Sequence, residues 1–461
     1  MTVVSTRPFT LSDDSIDGDI FRPGDPGWDD ARAAWQLSVD QRPIAVVIPA
    51  SDYDVVRTVQ AARAAGVRLA PQTTGHNAAP LGSLDNTVLL RTSAMNGVQI
   101  DVRNHVARVE GGAVWGTVVD QAAKDGLAAL AGSARDVGVV GYTLGGGLSW
   151  FGRSHGLAAN HVVAAEVVTA DGVLRRVDET NDADLFWAIR GGGGSFGIVT
   201  ALEFRLFPII SVQAGALFWP IERAAEVLRA WKDWLPGTPD AITSIGRLLR
   251  FPPLPEIPEP MRGRSFVTIE LAGQLDAAQM NAYLEPLRDL APEMDTVHEM
   301  PVVGLGGLHM DPPGPVPVTG DGFLVTDLSD QALDAYLSAV GPDTDCTLLT
   351  TELRHLGGAL QPGIFTAGAV SGIAAGFAVY SGTFTPDKDS RGAARGALDG
   401  LEIAMGPWAA ETTYGNFAET STSADALYGP GVHQVLRTVK ANYDPTDVFH
   451  ANHPVAPETA V

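Results

Sequence analysis

One histidine in a loop of small and hydroxylated residues is where chemistry first becomes legible in this chain. It is His76, within Pro71-Gln72-Thr73-Thr74-Gly75-His76-Asn77. Such a loop leaves its backbone N–H groups uncrowded, which suits a phosphate or pyrophosphate. The ring of His76 can then reach whatever the loop holds. A second stretch runs Gly132-Ser133-Ala134-Arg135-Asp136-Val137-Gly138-Val139-Val140-Gly141-Tyr142-Thr143-Leu144-Gly145-Gly146-Gly147. Glycine costs up to about 1 kcal/mol in a helix or strand interior relative to alanine. So many glycines suit a backbone that lies flat on a planar ligand or donates N–H groups to phosphate. A third stretch, Gly191-Gly192-Gly193-Gly194-Ser195-Phe196-Gly197-Ile198-Val199, contains a literal G-x-G-x-x-G.

That third match is not a Rossmann fingerprint. A Rossmann glycine run follows a strand and opens a helix. Here the run follows a short helix, Asp184 to Arg190, and opens a strand in which Ile198, Thr200, Leu202, Phe204 and Leu206 alternate onto one face. No acid stands where a ribose partner is expected.

The elements that position the His76 loop form a strand-helix-strand unit. Ile44 to Ile48 is a short buried strand closed by Pro49. Ser51 caps a helix with Asp54 at capping-box spacing, and Val55, Val56, Val59 and Ala62 fall on one face. Gly66 stops the helix, and Val67 to Ala70 is the second strand. Strands are expected at 86–90, 98–101 and 106–110, and a helix at 114–125. Residues 1 to about 40 read as a leading arm anchored by Trp28 and Trp35.

From Pro208 the glycine loops stop. Helices at 221–235 and 277–290 and strands at 265–271 and 377–383 describe an inserted α+β domain, with proline-rich stretches at 251–260 and 312–317. Glu352, Arg354 and His355 read as structural polar residues beneath a sheet. Val432, Val435, Leu436 and Val439 stripe a last helix that ends at Asp444-Pro445.

The chain has 461 residues, 45% of them hydrophobic and 18% charged, which is ample for a sizeable core in two domains or one split by an insertion. With 54 acidic and 31 basic residues the formal charge is −23, which repels nucleic acid and anionic membranes. The one cysteine, Cys346, excludes an intramolecular disulfide and a multi-cysteine metal site. No apolar run is long enough to span a membrane and residues 1–19 lack a signal-peptide pattern, so a cytoplasmic location and no bound metal are expected.

Taken together, the His76 loop, the glycine segments and the run Asp184-Leu185-Phe186-Trp187-Ala188-Ile189-Arg190 resemble the berberine-bridge-enzyme-like FAD-linked oxidases, in bacterial form. These belong to the vanillyl-alcohol-oxidase/PCMH flavoproteins. The C-terminal Tyr414-Gly415-Asn416-Phe417 and the run from Val439 to His453 resemble that family's closing signature. The resemblance implies an α+β fold: a two-subdomain FAD-binding domain from residues 1–206 and 411–461, and an inserted substrate domain over 207–410 whose antiparallel sheet is backed by helices. It implies FAD joined through its 8α carbon to His76. Gln72, Thr73, Thr74, Gly75 and Asn77 would hold pyrophosphate. Gly132, Ser133, Ala134, Val137, Gly138, Gly141, Tyr142, Gly145, Gly146 and Gly147 would line the flavin ring and pyrophosphate. Gly194, Gly197, Ile198 and Val199 would sit near the adenosine and pyrophosphate, and Asn416 and Asn452 near the flavin.

Two departures matter. Ala134 stands where doubly tethered members carry a cysteine, which implies one covalent link. Leu148 replaces a tyrosine that assists the base in many members. The resemblance implies Tyr414 as base, a small-molecule substrate with an alcohol or amine, and reoxidation by O2. A secondary metabolite is the expected substrate; a carbohydrate, or a non-redox or binding role, is the alternative.

Overall fold

A computed structural model describes residues 9–255 and 257–458. Three sheets organise them, and the topology is α+β. In the first sheet, strands Ala45–Ile48, Thr87–Arg91 and Arg68–Gln72 run parallel, and Asp19–Phe21 adds an antiparallel edge. Helix Asp52–Ala65 packs Val55, Val59 and Ala62 against them, all with no exposed surface. Ser51 caps the helix by accepting the Asp54 N–H at 3.4 Å, and Gly66 closes it at φ +69°. The reciprocal half of a capping box is absent. The buried Asp54 carboxylate instead accepts the N–H groups of Asp17, Gly18 and Ala50, tying the leading arm to the helix start.

The second sheet is antiparallel, in the order Val98–Asp101, Val106–Glu110, Ile198–Arg205, Val162–Val168, Leu174–Val177. The third glycine run emerges from helix Ala183–Ile189 and opens its central strand. Helix-then-strand is the order the sequence demands, so the fingerprint is coincidental.

The third sheet has eight antiparallel strands drawn from residues 211–384. Helices Ala224–Trp234, Ala277–Arg288, Asp330–Val340 and Lys388–Met405 cover one face, where Leu217, Trp219, Leu248, Ile269, Leu353 and Val379 form one core. Strand alternation therefore sends Arg247, Glu270, Glu352, Arg354 and Tyr380 to the opposite face. In register, Arg247 stands opposite Glu352, and Glu352 opposite Tyr380.

The chain then returns to the smaller sheets. Helix Ala424–Tyr443 is interrupted at Gly429-Pro430, and Val435 on it is 48% exposed, so the expected four-residue stripe reduces to Leu436 and Val439 with Val432 at its margin. Phe449 pairs in parallel with Leu69. Lys440, fully buried, donates to Ser195 O at 2.8 Å and to Asp444 at 2.5 Å, locking this return onto the third glycine run.

Candidate active site between the flavin-type loops and the large sheet

All three glycine-bearing stretches, the C-terminal return and the free face of the large sheet line one cavity of about 1240 Å³. Ligand pockets commonly span about 300–1,000 Å³, so this one has room for a dinucleotide and a second molecule. Of the residues expected there, Gln72 to Asn77, Gly132, Ser133, Ala134, Val137, Gly138, Gly141, Tyr142, Gly145, Gly194, Gly197, Ile198, Val199, Tyr414, Asn416 and Asn452 do line it. Gly146 and Gly147 do not: both take positive φ and turn the chain behind the wall. Gly141 also departs from expectation, because it lies inside a short helix, Val139–Leu144, with Gly138 and Gly145 as its caps. The helix survives its glycine because one side faces open space: a Cβ on Gly141 would meet nothing within 4 Å.

Each loop is shaped for close approach. Gly75 adopts φ +87°, and a Cβ there would stand 2.9 Å from Ala34 and from the Gln72 side chain. A Cβ on Gly145 would overlap Asn416 Oδ1 at 1.8 Å. Asn77 donates to Gly415 O and Ala418 O at 3.1 and 3.2 Å, joining the first loop to the C-terminal return. At Gly194 a Cβ would meet only Ala451, at 4.0 Å, and would project into the cavity.

His76 is held from three sides. Its Nδ1 is 2.8 Å from Thr74 Oγ1, its Nε2 is 3.3 Å from Asp136 Oδ1, and its ring stacks on Trp35 at 4.0 Å and 18°. Nε2 is shut away from the cavity and lacks hydrogen-bond alignment with any acceptor among the described residues. Trp35 donates its indole N–H to Asp136 Oδ2 at 2.6 Å. Burial raises the Asp136 pKa, but the His76 ring facing it at 3.3 Å and the Trp35 indole N–H outweigh it and hold the carboxyl below its ordinary value. Trp35 was expected only as an anchor for the arm. Its backbone also donates to Thr74 O at 2.9 Å, so the arm forms part of the site wall.

Across the cavity lies a buried ionic cluster that sequence reasoning missed. Arg247 donates to Glu270 at 2.8 Å; His309 Nδ1 meets Glu270 at 2.5 Å and its Nε2 meets Glu352 at 3.0 Å; Arg354 donates to Glu352 at 2.9 Å. Burial and Arg247 push the His309 pKa down, but the two flanking carboxylates win and raise it to about 9. Burial likewise raises the two carboxylates, and their cationic partners hold both below the usual range. Glu352 and Arg354 thus line the cavity, whereas His355 points the other way, toward Arg153 at 3.1 Å. Alternation along Thr350–His355 was the available signal for that split. Nothing in the sequence marked His309 or Glu270.

Tyr414 sits between floor and sheet, 4% exposed. Burial dominates and leaves its pKa raised, although the amide of Asn416, donating at 3.0 Å, backbone N–H groups of Gly147 and Leu148, and the Arg354 charge offset part of that rise. Leu148 packs beside it in an apolar cluster with Leu157, Leu324 and Leu356. A second phenol, Tyr380, donates to Glu419 at 2.6 Å and also lines the cavity.

The donors, glycine cradles and histidine fit a flavin dinucleotide, and comparison with known proteins agrees. Residues 43–178 match the model described as "FAD binding domain", and residues 413–456 the model described as "Berberine and berberine like". Over those two segments, which together make up under half of the chain, it is similar to berberine-like FAD-linked proteins, and its relatives are FAD-linked oxidoreductases. A glucooligosaccharide oxidase of Sarocladium strictum is 37% identical over 218 residues, 46% of this chain and 44% of that protein; the similarity thus spans under half of the relative. The crystal structure of 6-hydroxy-D-nicotine oxidase from Arthrobacter nicotinovorans superposes with a TM-score of 0.82 at 23% identity, over 96% of this chain and 99% of that one. A glucooligosaccharide oxidase structure from Acremonium strictum, whose FAD is 6-S-cysteinyl and 8α-N1-histidyl, gives 0.79 at 25% identity, over 96% and 98%. Among the described residues no helix is long and apolar enough to cross a membrane, and no cluster of His, Cys, Asp or Glu forms a metal site.

Proposed function

We propose that this chain is an oxidase whose FAD is attached through His76 and whose substrate is a small secondary metabolite bearing an alcohol or amine. The observation that carries the reading is the convergence of His76, the glycine cradles and Tyr414 on one cavity, opposite a sheet that offers charged and phenolic side chains. When bound, the flavin supplies the redox chemistry, accepting a hydride and returning the electrons to O2 as peroxide.

The chain's own residues supply position and proton handling. Residues 1–206 and 411–461 act as the cofactor domain, and 207–410 as the substrate domain. Tyr414 Oη takes the proton of the substrate O–H or N–H in concert with hydride transfer; its burial keeps the resting side chain a neutral phenol, and Asn416 and Arg354 offset only part of that penalty. Ala134, in place of a cysteine, limits attachment to one bond. The cavity mouth is apolar, with Phe251, Leu254, Ile257, Pro312 and Pro313 from the two proline-rich stretches, which favours a hydrophobic metabolite over a sugar chain. The test is a screen of alcohols and amines for anaerobic flavin bleaching, followed by peroxide release in air. Bleaching without peroxide would make the chain a dehydrogenase, and no bleaching by any member would favour the non-redox reading.

A further inference from the structure

The side chains around His76 prepare it for something that substrate oxidation does not require. An imidazole has two nitrogens, and here they are treated differently. Nε2 is buried beside a carboxylate that stays ionised, while Nδ1 meets only a neutral hydroxyl, which can donate to a lone pair and can rotate away. A carboxylate beside one ring nitrogen fixes the proton there, leaving the other nitrogen as a nucleophile and stabilising the imidazolium that forms when it attacks. Trp35 fixes the plane of the ring by stacking and fixes the carboxylate through its indole N–H.

We infer that Asp136, held by Trp35, is a positioning residue for the attachment of flavin to His76, facing Nε2 and leaving Nδ1 free to bond. This rests on the proposed His76 linkage. In the step, Nδ1 bonds to the 8α carbon, which releases one proton, and the imidazole releases a second. The electron pair displaced remains on the flavin, leaving it reduced by two electrons. Dioxygen then takes both electrons and both protons as hydrogen peroxide, and the oxidised, tethered flavin remains. Asp136 faces the ring nitrogen that does not bond, and carries the compensating negative charge while the imidazolium exists.

The experiment follows attachment directly, without substrate. Full-length protein from a riboflavin-starved host is mixed with FAD, and covalent flavin is read as fluorescence of the denatured chain over time. Asp136→Asn should slow attachment roughly a hundredfold, in the range typical of a lost proton-positioning group. Its dissociation constant for non-covalent FAD and its melting temperature should stay near those of the unmutated protein. Trp35→Phe keeps the stack but loses the indole donor, and should slow attachment less. NMR of the flavin peptide from the unmutated protein should place the bond on Nδ1, away from Asp136. Attachment by Asp136→Asn at the unmutated rate would overturn the role of Asp136 alone, as would a loss of rate matched by loss of FAD binding; a bond at Nε2, the nitrogen Asp136 faces, would overturn it too. Flavin that leaves the unmutated chain on denaturation would overturn both this inference and the linkage beneath it.

Discussion

The two walls of the cavity are built on opposite principles. The flavin-side wall is made of backbone: glycines at Gly75, Gly138, Gly145 and Gly194 bring main chain to the surface, and few side chains there carry charge. The opposite wall, on the large sheet, is made of side chains: Arg247, His309, Glu352 and Arg354 line it, and with Glu270 behind them form one buried charged group on a hydrophobically backed sheet. A backbone wall recognises a cofactor whose shape never changes. A side-chain wall can be rewritten residue by residue on an unchanged sheet, so under the proposed function specificity is expected there.

Four experiments sharpen or break that contrast. The largest effect is expected at the residue between the walls. Tyr414→Phe should slow anaerobic flavin reduction by roughly 10²–10⁴-fold with little change in substrate binding, because a proton acceptor acts in the transition state. Unchanged reduction kinetics would remove Tyr414 from the chemistry.

Next comes the charged wall. Glu270→Leu strands Arg247 and weakens the hold on His309, both buried, and should cost about 3–5 kcal/mol of stability, against about 1–3 kcal/mol for the overpacking of Gly145→Ala. Chemical denaturation compares the two, and a Glu270→Leu protein as stable as its parent would show the cluster to be slack.

The pH dependence of stability is a finer probe of the same cluster. His309 has a folded pKa raised to about 9 against an ordinary 6.5. Its contribution is therefore complete below about pH 6.5 and fades as pH climbs through about 9. Melting temperatures across that range should fall more for the parent than for His309→Gln; parallel curves would mean the imidazole is not charged.

The smallest expected change lies on the backbone wall. Val137 lines the cavity and packs on the flavin-side core. Val137→Leu adds one methylene, and should slow reoxidation by O2 while leaving substrate-driven reduction nearly intact. Stopped-flow mixing of reduced protein with oxygenated buffer decides it, since equal rates would show that Val137 does not gate oxygen.

The same contrast explains what could be read from the sequence. Backbone recognition demands glycine at fixed places in a continuous run, so Gly138, Gly145, Gly194 and the His76 loop announced themselves. Gly146 and Gly147 were swept in with their neighbours because the run cannot say which glycine faces the ligand and which turns the chain away. The charged wall is assembled from three strands and a loop, and one or two residues from each leave no local pattern. Glu352 and Arg354 were noticed and set aside as structural, because only the register opposite Arg247 and Tyr380 shows what they join. Trp35 and Asp136 were visible as residues, but their meeting at His76 depends on the arm folding back across the first loop.

The parallel pairing of Leu69 with Phe449, with Lys440 reaching back to Ser195, carries a consequence for the protein's life history. On the ribosome, the first loop and third glycine run emerge long before the segment that closes them. Contacts this distant in sequence form late and slowly. A chain that has not yet made residues 440–449 therefore displays a half-built cradle, and cofactor capture is expected to depend on that segment. Under the proposed function, chains cut short before Lys440 should then be left colourless, and the yellow fraction of a preparation should track how many chains have closed this segment over the cradle.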